Sequence, residues 1–399
     1  MPLKSLARFI AFQLVLAAVL LGPGREATIY AFWWFTNTEP PQLVLAAPPG
    51  PSSTSEPGVR AVRGAIEVPV DARPSGRVDL LSVELDAQQL PPDDNVEIDT
   101  TSLPDGEHVL TVRAQDRSLR RNSALESLRF RSDNTAPNFE VQARPPNVPQ
   151  GHSAIIHIRP SEPAEVSAQL GGAPLRLFAA GPEYWGVVGF DSDAEPGARD
   201  FVVEGRDRVG NAGRAGAELS VVAFEFTRDR IQVPESMLPL LAPSVRAAEE
   251  DRLMTVYRQD NGPPLWKGPF RQPVLGPVST EFGEVRSYNG GPFQGHHNGT
   301  DFQAALGTPV QAPARGRVAL HEEVRLRGRI LILDHGAGVY TTYAHLSEWL
   351  VEPGQEVEPG QPIARVGSTG LSTGPHLHWE LWVGGTSVDP MEWTEREVP

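Results

Sequence analysis

Apolar and polar residues alternate along the chain from about residue 57 to residue 223. Short runs of Val, Ile, Leu and Thr are broken by Gly, Pro, Asp and Asn. This is the pattern of half-buried strands closed by tight turns. It also repeats. Gly106 is followed by Leu110, Val112, Ala114 and Asp116, and Gly197 by Phe201, Val203, Gly205 and Asp207, each offset by 91 residues. In both copies a turn glycine opens a strand whose alternate residues face one side, and an Asp-Arg pair closes it. A period of this length is that of one β-sandwich. With Asn134-Thr135-Ala136-Pro137 as the boundary, the pattern predicts one sandwich over residues 40–133 and a second over residues 134–223.

The flanks read differently. Lys4 and Arg8 precede an apolar run from Phe9 to Gly22, a positive region followed by the apolar core of an export signal. A second apolar stretch, Ala27 to Phe35, ends in Trp33-Trp34, residues suited to a membrane interface. No clear small-x-small cleavage site precedes Pro23-Gly24-Arg25-Glu26. Residues 1–36 are therefore expected to be a membrane anchor or a signal peptide, and either one places the rest outside the cytoplasm. Pro48 to Pro57 is polar and Pro-rich and reads as a linker. Beyond residue 223 the alternation stops. Ser236 to Pro243 is rich in Leu and Pro, and Ala247 to Tyr257 reads as a short helix with acids early, where the helix dipole favours them. Residues 224–270 are expected to form a connector and residues 271–399 a further, mostly β domain.

Composition narrows the functional classes. A chain of 399 residues suits two or three domains. Its net charge of −15 argues against nucleic acid as a partner, which needs clustered Lys and Arg. With no cysteine, disulfides and thiolate-bound metal are excluded, so any metal site must be built from His, Asp and Glu.

Seven of the ten histidines lie between residues 296 and 378. His297-Asn298-Gly299-Thr300-Asp301 offers an imidazole and a carboxylate near a turn, both suitable zinc donors. In His376-Leu377-His378-Trp379-Glu380, strand alternation puts both histidines on one face and Leu377, Trp379 and Leu381 on the other. Two such imidazoles side by side in an apolar strand are costly unless something binds them. The same alternation puts Thr341, Tyr343 and His345 on one face. Spacing alone leaves open which of His376 and His378 would hold a metal.

Together, the order H-x-G-x-D, Y-A-H-L and G-P-H-L-H closely resembles the lysostaphin-type (LytM-like) zinc endopeptidases. The resemblance runs from about Gly283 to Pro390 and includes Gly307-Thr308-Pro309-Val310, Asp334-His335-Gly336 and Gly367-Ser368-Thr369-Gly370. It implies Zn2+ as cofactor, with His297, Asp301 and His378 as ligands and His345 and His376 as catalytic histidines. It further implies hydrolysis of peptidoglycan cross-link peptides. Three protein ligands leave a zinc position open for water, as hydrolytic sites require. The strand pattern of the two repeats resembles bacterial immunoglobulin-like domains. The expected fold is thus mainly β: two immunoglobulin-like β-sandwiches followed by a lysostaphin-type antiparallel β catalytic domain.

Other polar residues carry weaker expectations. His335 is read as holding a turn. Glu380 is read as orienting a ligand histidine or facing solvent, and Tyr288 as an oxyanion donor. His296 and His321 are not expected to be ligands, and His108, His152 and His157 are read as surface or strand residues. All five principal candidates follow residue 265, so that segment is expected to bind zinc by itself. The alternative is a non-catalytic envelope protein that binds peptidoglycan and activates separate wall amidases. Relatives of that kind lack zinc ligands, whereas this chain retains all of them. A regulatory envelope partner is the remaining partner class.

Overall fold

The computed structural model describes residues 25–52, 58–259 and 261–396. The apolar run Phe9–Gly22 and residues 53–57 of the linker lie outside them. Among the described residues no helix is long and apolar enough to cross a membrane. The stretch around Trp33-Trp34 forms a 12-residue helix, Arg25–Thr36, whose Phe32 and Phe35 are exposed.

The chain is mostly antiparallel β-sheet and divides into two compact units. One comprises residues 1–136 with 207–211, and the other residues 137–206 with 212–399. In the first unit, a three-stranded sheet has the order Gln42–Leu45, Ala65–Arg73, Asn95–Asp99. A five-stranded sheet has the order Arg60–Val62, Ser123–Ser132, Gly106–Asp116, Val78–Leu85, Gln88–Leu90. Their inner faces share a core containing Val68, Val83, Leu110, Val112, Ala114 and Phe130.

In the second unit, strands between residues 139 and 222 form a four-stranded and a five-stranded sheet over a core that includes Ile156, Ile158, Phe201, Val203 and Leu219. The repeated strands are real elements of equal length, Gly106–Asp116 and Gly197–Asp207. The closing aspartates act alike. Asp116 Oδ1 accepts the N–H groups of Ser118 and Asn122, and Asp207 Oδ1 accepts those of Val209, Gly210 and Asn211, so each carboxylate closes the turn after its strand.

The rest of this unit is built on an eight-stranded sheet. Its order is Val278–Thr280, Thr300–Gln303, His376–Val383, Val339–Ala344, Gly328–Asp334, Gly316–Val324, Glu356–Val357, with Thr386–Val388 pairing on His376–Val383. One face covers a core of Phe302, Val318, Leu333, Tyr343, Leu377 and Trp379. The end near Leu381, Val383 and Val388 packs with Trp266, Phe270 and Trp393, and with Ile155 and Val187 of the preceding sandwich. Ser153 of that sandwich bonds the Glu392 carboxylate and the Arg396 guanidinium.

The connector is packed rather than loose. Its helix runs Pro243–Tyr257, four residues earlier than the pattern predicts, because Pro243 takes the first helical position, where its missing N–H costs nothing. The acids therefore do not lie in the first turn, as expected, but mid-helix, where Glu249 is buried. Leu253, Val256 and Tyr257 pack on Ile330, Ile332, Tyr340, Ala344 and Trp382 of the sheet. Tyr257 stacks on Trp382 at 4.4 Å, an arrangement worth about 1 kcal/mol beyond area burial.

Candidate metal centre

Thr300–Gln303 runs antiparallel to His376–Val383 with Asp301 opposite His378 and Gln303 opposite His376. Cross-strand partners share a face, so Asp301 and His378 meet, with His376 two residues along on the same side. The other face carries Phe302, Leu377 and Trp379 into the core. His297 enters from the turn before. Its backbone N–H donates to the Glu284 carbonyl and its carbonyl accepts from Gly283. Gly299 permits this approach: a Cβ there would lie 2.5 Å from the Trp379 carbonyl oxygen and 2.9 Å from the His378 ring.

The three donors converge. His297 Nε2 lies 2.9 Å from His378 Nδ1, and Asp301 Oδ1 lies 2.7 Å from His378 Nδ1 and 3.1 Å from His297 Nε2. The opposite nitrogen of each ring is engaged elsewhere. His297 Nδ1 donates to the Glu281 carbonyl at 2.9 Å, and His378 Nε2 donates to Glu380 at 2.8 Å. Those outward bonds fix the ring orientations and turn the other nitrogen of each ring inward. Burial, then the Arg286 charge, outweighs the pull of Asp301 and lowers the His297 pKa to about 4. Burial also opposes charge on His378, but the flanking Asp301 and Glu380 carboxylates prevail and hold it at about 9. Burial would raise Asp301, yet His297 and His378 keep it well below the usual carboxylate range. Two inward imidazole nitrogens and one carboxylate converge where His378 is held in its charged form, and they fit zinc, which would take the place of the His378 Nδ1 proton.

His345 and His376 stand beside this triad, with ring centroids 4.7 Å apart. The expected strand face is wrong in detail. Tyr343 faces the core with Trp379, and Thr341 is bonded to His335 and Tyr343. The strand ends at Ala344, and His345 reaches the site through a left-handed backbone conformation, φ 59°. Its Nδ1 donates to the Thr369 carbonyl at 2.7 Å, which leaves Nε2 as the lone-pair nitrogen. Burial, then the neighbouring His376 and His378, lowers its pKa to about 3. His376 Nδ1 is held by the Gly374 carbonyl at 2.9 Å, with Nε2 4.0 Å from Asp301 Oδ1.

A second layer orients the first. Glu380, on the same face as His376 and His378, also accepts from Trp382 Nε1 at 2.7 Å and from Arg327 Nε at 2.6 Å. Burial would raise its pKa, but Arg327 and then His378 lower it to about 2. Arg327 in turn donates to Glu249 of the connector helix at 3.0 Å, and Glu249 also accepts the N–H groups of Leu326 and Arg327. On the other side Arg286 donates to Asp301 Oδ2 at 3.1 Å. The sequence reading missed Arg286, Arg327 and Glu249. Only Glu380 had a local signal, its spacing of two and four residues from the histidines.

The remaining candidates fall where they cannot join the triad. His296 bonds the Gly283 carbonyl and Asp193, and His321 stacks on Trp349. Tyr288 lines the cleft beside the triad.

Residues 295–390 match the profile of Peptidase family M23. The match covers 96 of the chain's 399 residues. Among similar proteins, the peptidoglycan DD-endopeptidase ShyA of Vibrio cholerae is 38% identical over 138 residues, 34% of this chain and 32% of that protein. The DD-carboxypeptidase/endopeptidase Mpg of Neisseria meningitidis is 43% identical over 95 residues, 24% of this chain and 22% of that protein. The chain thus spans only about a third or less of the length of these relatives. Of solved structures, the catalytic domain of lysostaphin from Staphylococcus simulans is 31% identical over 33% of this chain and 93% of that one, with a TM-score of 0.25. All five histidine and aspartate candidates lie inside the matched residues, whereas Glu249 and Arg286 reach the site from outside them.

Proposed function

We propose that the chain is a zinc-dependent endopeptidase that hydrolyses peptide cross-links of bacterial peptidoglycan during cell-wall remodelling. One observation carries this reading. Two imidazole nitrogens and a carboxylate oxygen converge with their outward atoms already bonded, next to two further histidines on the same cleft. Relatives matched across the M23 domain are named peptidoglycan endopeptidases, which supports the choice of substrate.

In this reading His297 Nε2, Asp301 Oδ1 and His378 Nδ1 hold the ion. When bound, zinc supplies Lewis acidity and brings the pKa of a coordinated water to about 7. The chain's own residues do the rest. Glu380 and the Glu281 carbonyl keep the two ligand imidazoles in the metal-binding tautomer. His345, neutral at physiological pH and anchored through Nδ1, offers the Nε2 lone pair to accept a proton. His376, anchored through Nδ1 in the same way, serves the leaving amine. The sequence has no H-E-x-x-H helix to supply a glutamate general base of that type.

Residues 1–36 serve in this reading as an export signal retained as a membrane anchor. The two repeats are immunoglobulin-like spacers, and an envelope partner regulates the enzyme. N-terminal sequencing of envelope material checks the anchor: a mature chain starting after residue 22 removes it. Mass spectrometry of fragments released from purified peptidoglycan tests the activity. Cleaved cross-link peptides are expected. Intact cross-links after incubation with the zinc-loaded chain refute it.

A further inference from the structure

The cleft beside the metal centre extends to the connector. Asp229, Ile231, Val233, Arg246 and Glu250 line it along with the histidines, and its volume is about 570 Å3. The connector helix is pinned there by Glu249, whose carboxylate is held by Leu326 and Arg327. Arg246 lies three residues before Glu249, hence on the same helix face. Its guanidinium reaches the turn that leads into His297: a Cβ on Gly295 would stand 3.0 Å from Nη1. Glycine at that position lets the guanidinium lie against the backbone two residues from a metal donor.

The charges of this cleft are not balanced evenly. Arg286 is committed to Asp301 and Glu284, and Arg327 to Glu249 and Glu380. Asp229 and Glu250 also line the cleft, but neither is within ion-pair distance of Arg246. Among the described residues the Arg246 side chain has no hydrogen-bond or ion-pair partner. In a chain of net charge −15, with four carboxylates lining this cleft, Arg246 is the lining guanidinium that, among the described residues, has no carboxylate already against it. A planar guanidinium with free donors is suited to a carboxylate, which it can grip through two parallel hydrogen bonds.

We infer that Arg246 is a specificity residue of the cleft, receiving a free carboxylate of the peptide substrate on the connector side of the metal centre. The inference rests on the peptidase reading and adds a substrate class to it: acidic peptides carrying an unamidated carboxyl group near the scissile bond. It also makes the connector helix a wall of the substrate site rather than a mask over it.

The test uses the full zinc-loaded chain and two synthetic cross-linked wall peptides, identical except that one carries free carboxylates and the other carboxamides. The parent is expected to prefer the carboxylate peptide by about tenfold in kcat/KM, chiefly through KM, the effect of one charge-assisted hydrogen-bonded contact. R246Q is expected to cleave both peptides at similar rates with its zinc content unchanged, and R246K to recover part of the preference. Cleavage of neither peptide by the parent overturns the peptidase reading, and this inference with it. Cleavage of both with no preference, or with a preference that R246Q retains, overturns the inference alone.

Discussion

Two buried histidines of the second unit, His335 and His297, differ in one respect. At His335, burial lowers the pKa to about 4. Nδ1 is bonded to the Arg315 carbonyl at 2.9 Å and Nε2 to Thr341 Oγ1 at 2.8 Å, and Thr341 continues to Tyr343. His297 is as buried and its pKa is lowered to about the same value. However, only its outward nitrogen is held by a backbone carbonyl, and its inward nitrogen faces another imidazole and a carboxylate. Burial and depressed basicity are therefore the same in a closed structural site and in an open donor site. What separates them is whether a lone pair is left pointing at a space that other donors share.

The largest test of that comparison is metal. Replacing His297, Asp301 or His378 with Ala should abolish zinc retention and peptidoglycan hydrolysis together, since each removes one of three donors. His335→Gln should retain one zinc per chain. Elemental analysis after dialysis reads this directly. Loss of zinc from His376→Ala but not from His378→Ala would reverse the assignment between those two residues.

The next effect separates metal from chemistry. His345→Ala and His376→Ala should keep zinc and lose about a hundredfold or more in kcat. His335→Gln should stay within a few-fold of the parent. Kinetics at saturating substrate on chains of equal zinc content distinguish these outcomes.

A third test concerns the orienting layer. Glu249→Ala leaves Arg327 buried with one carboxylate instead of two and strips Leu326 of its acceptor. Breaking such a buried pair costs about 3–5 kcal/mol, so urea denaturation should show a loss of that order. Chelator competition should also show weaker zinc binding, because Arg327 then holds Glu380, and through it His378, less firmly. Unchanged stability would mean that the helix does not brace the site.

The smallest effect is in the pH dependence of stability. His335 is neutral when folded down to about pH 4, against an ordinary value of 6.5. Between these values the unfolded chain binds the extra proton, so stability is fully present above about pH 6.5 and falls as pH drops toward 4. The slope is at most about 1.4 kcal/mol per pH unit. The stability difference between parent and His335→Gln, measured across pH 4–7, should shrink by up to that slope as pH falls, because the other buried histidines contribute alike to both chains.

Local pattern made much of this legible. The offset of 91 residues locates two strands of equal length, because alternation and a closing aspartate are local features. The five candidates of the three histidine motifs do lie together, because Thr300–Gln303 and His376–Val383 are neighbours whose facing residues follow from a period of two. The same period failed at His345, where a left-handed residue redirects the side chain. The expectation that residues from 265 onward suffice also changes with the structure. Leu253, Val256 and Tyr257 cover the sheet, and Glu249 completes the Arg327 pair. A chain of residues 137–399 should therefore keep zinc through a thermal melt that a chain of residues 265–399 does not survive.

The sequence by itself determined the candidate motifs, the family resemblance and the absence of thiolate chemistry, since these depend on residue types and short motifs; it left His376 and His378 unseparated by spacing. Only the tertiary structure decided what each donor's second atom touches. Arg286 is set behind Asp301, and Arg327 and Glu249 are set behind Glu380. The unpaired Arg246 reaches the cleft from a helix about fifty residues before His297. The physical reason is that a buried charge is tolerated only where an opposite charge or hydrogen-bond partner meets it. Those meetings join segments far apart in the chain, at distances that no local spacing encodes.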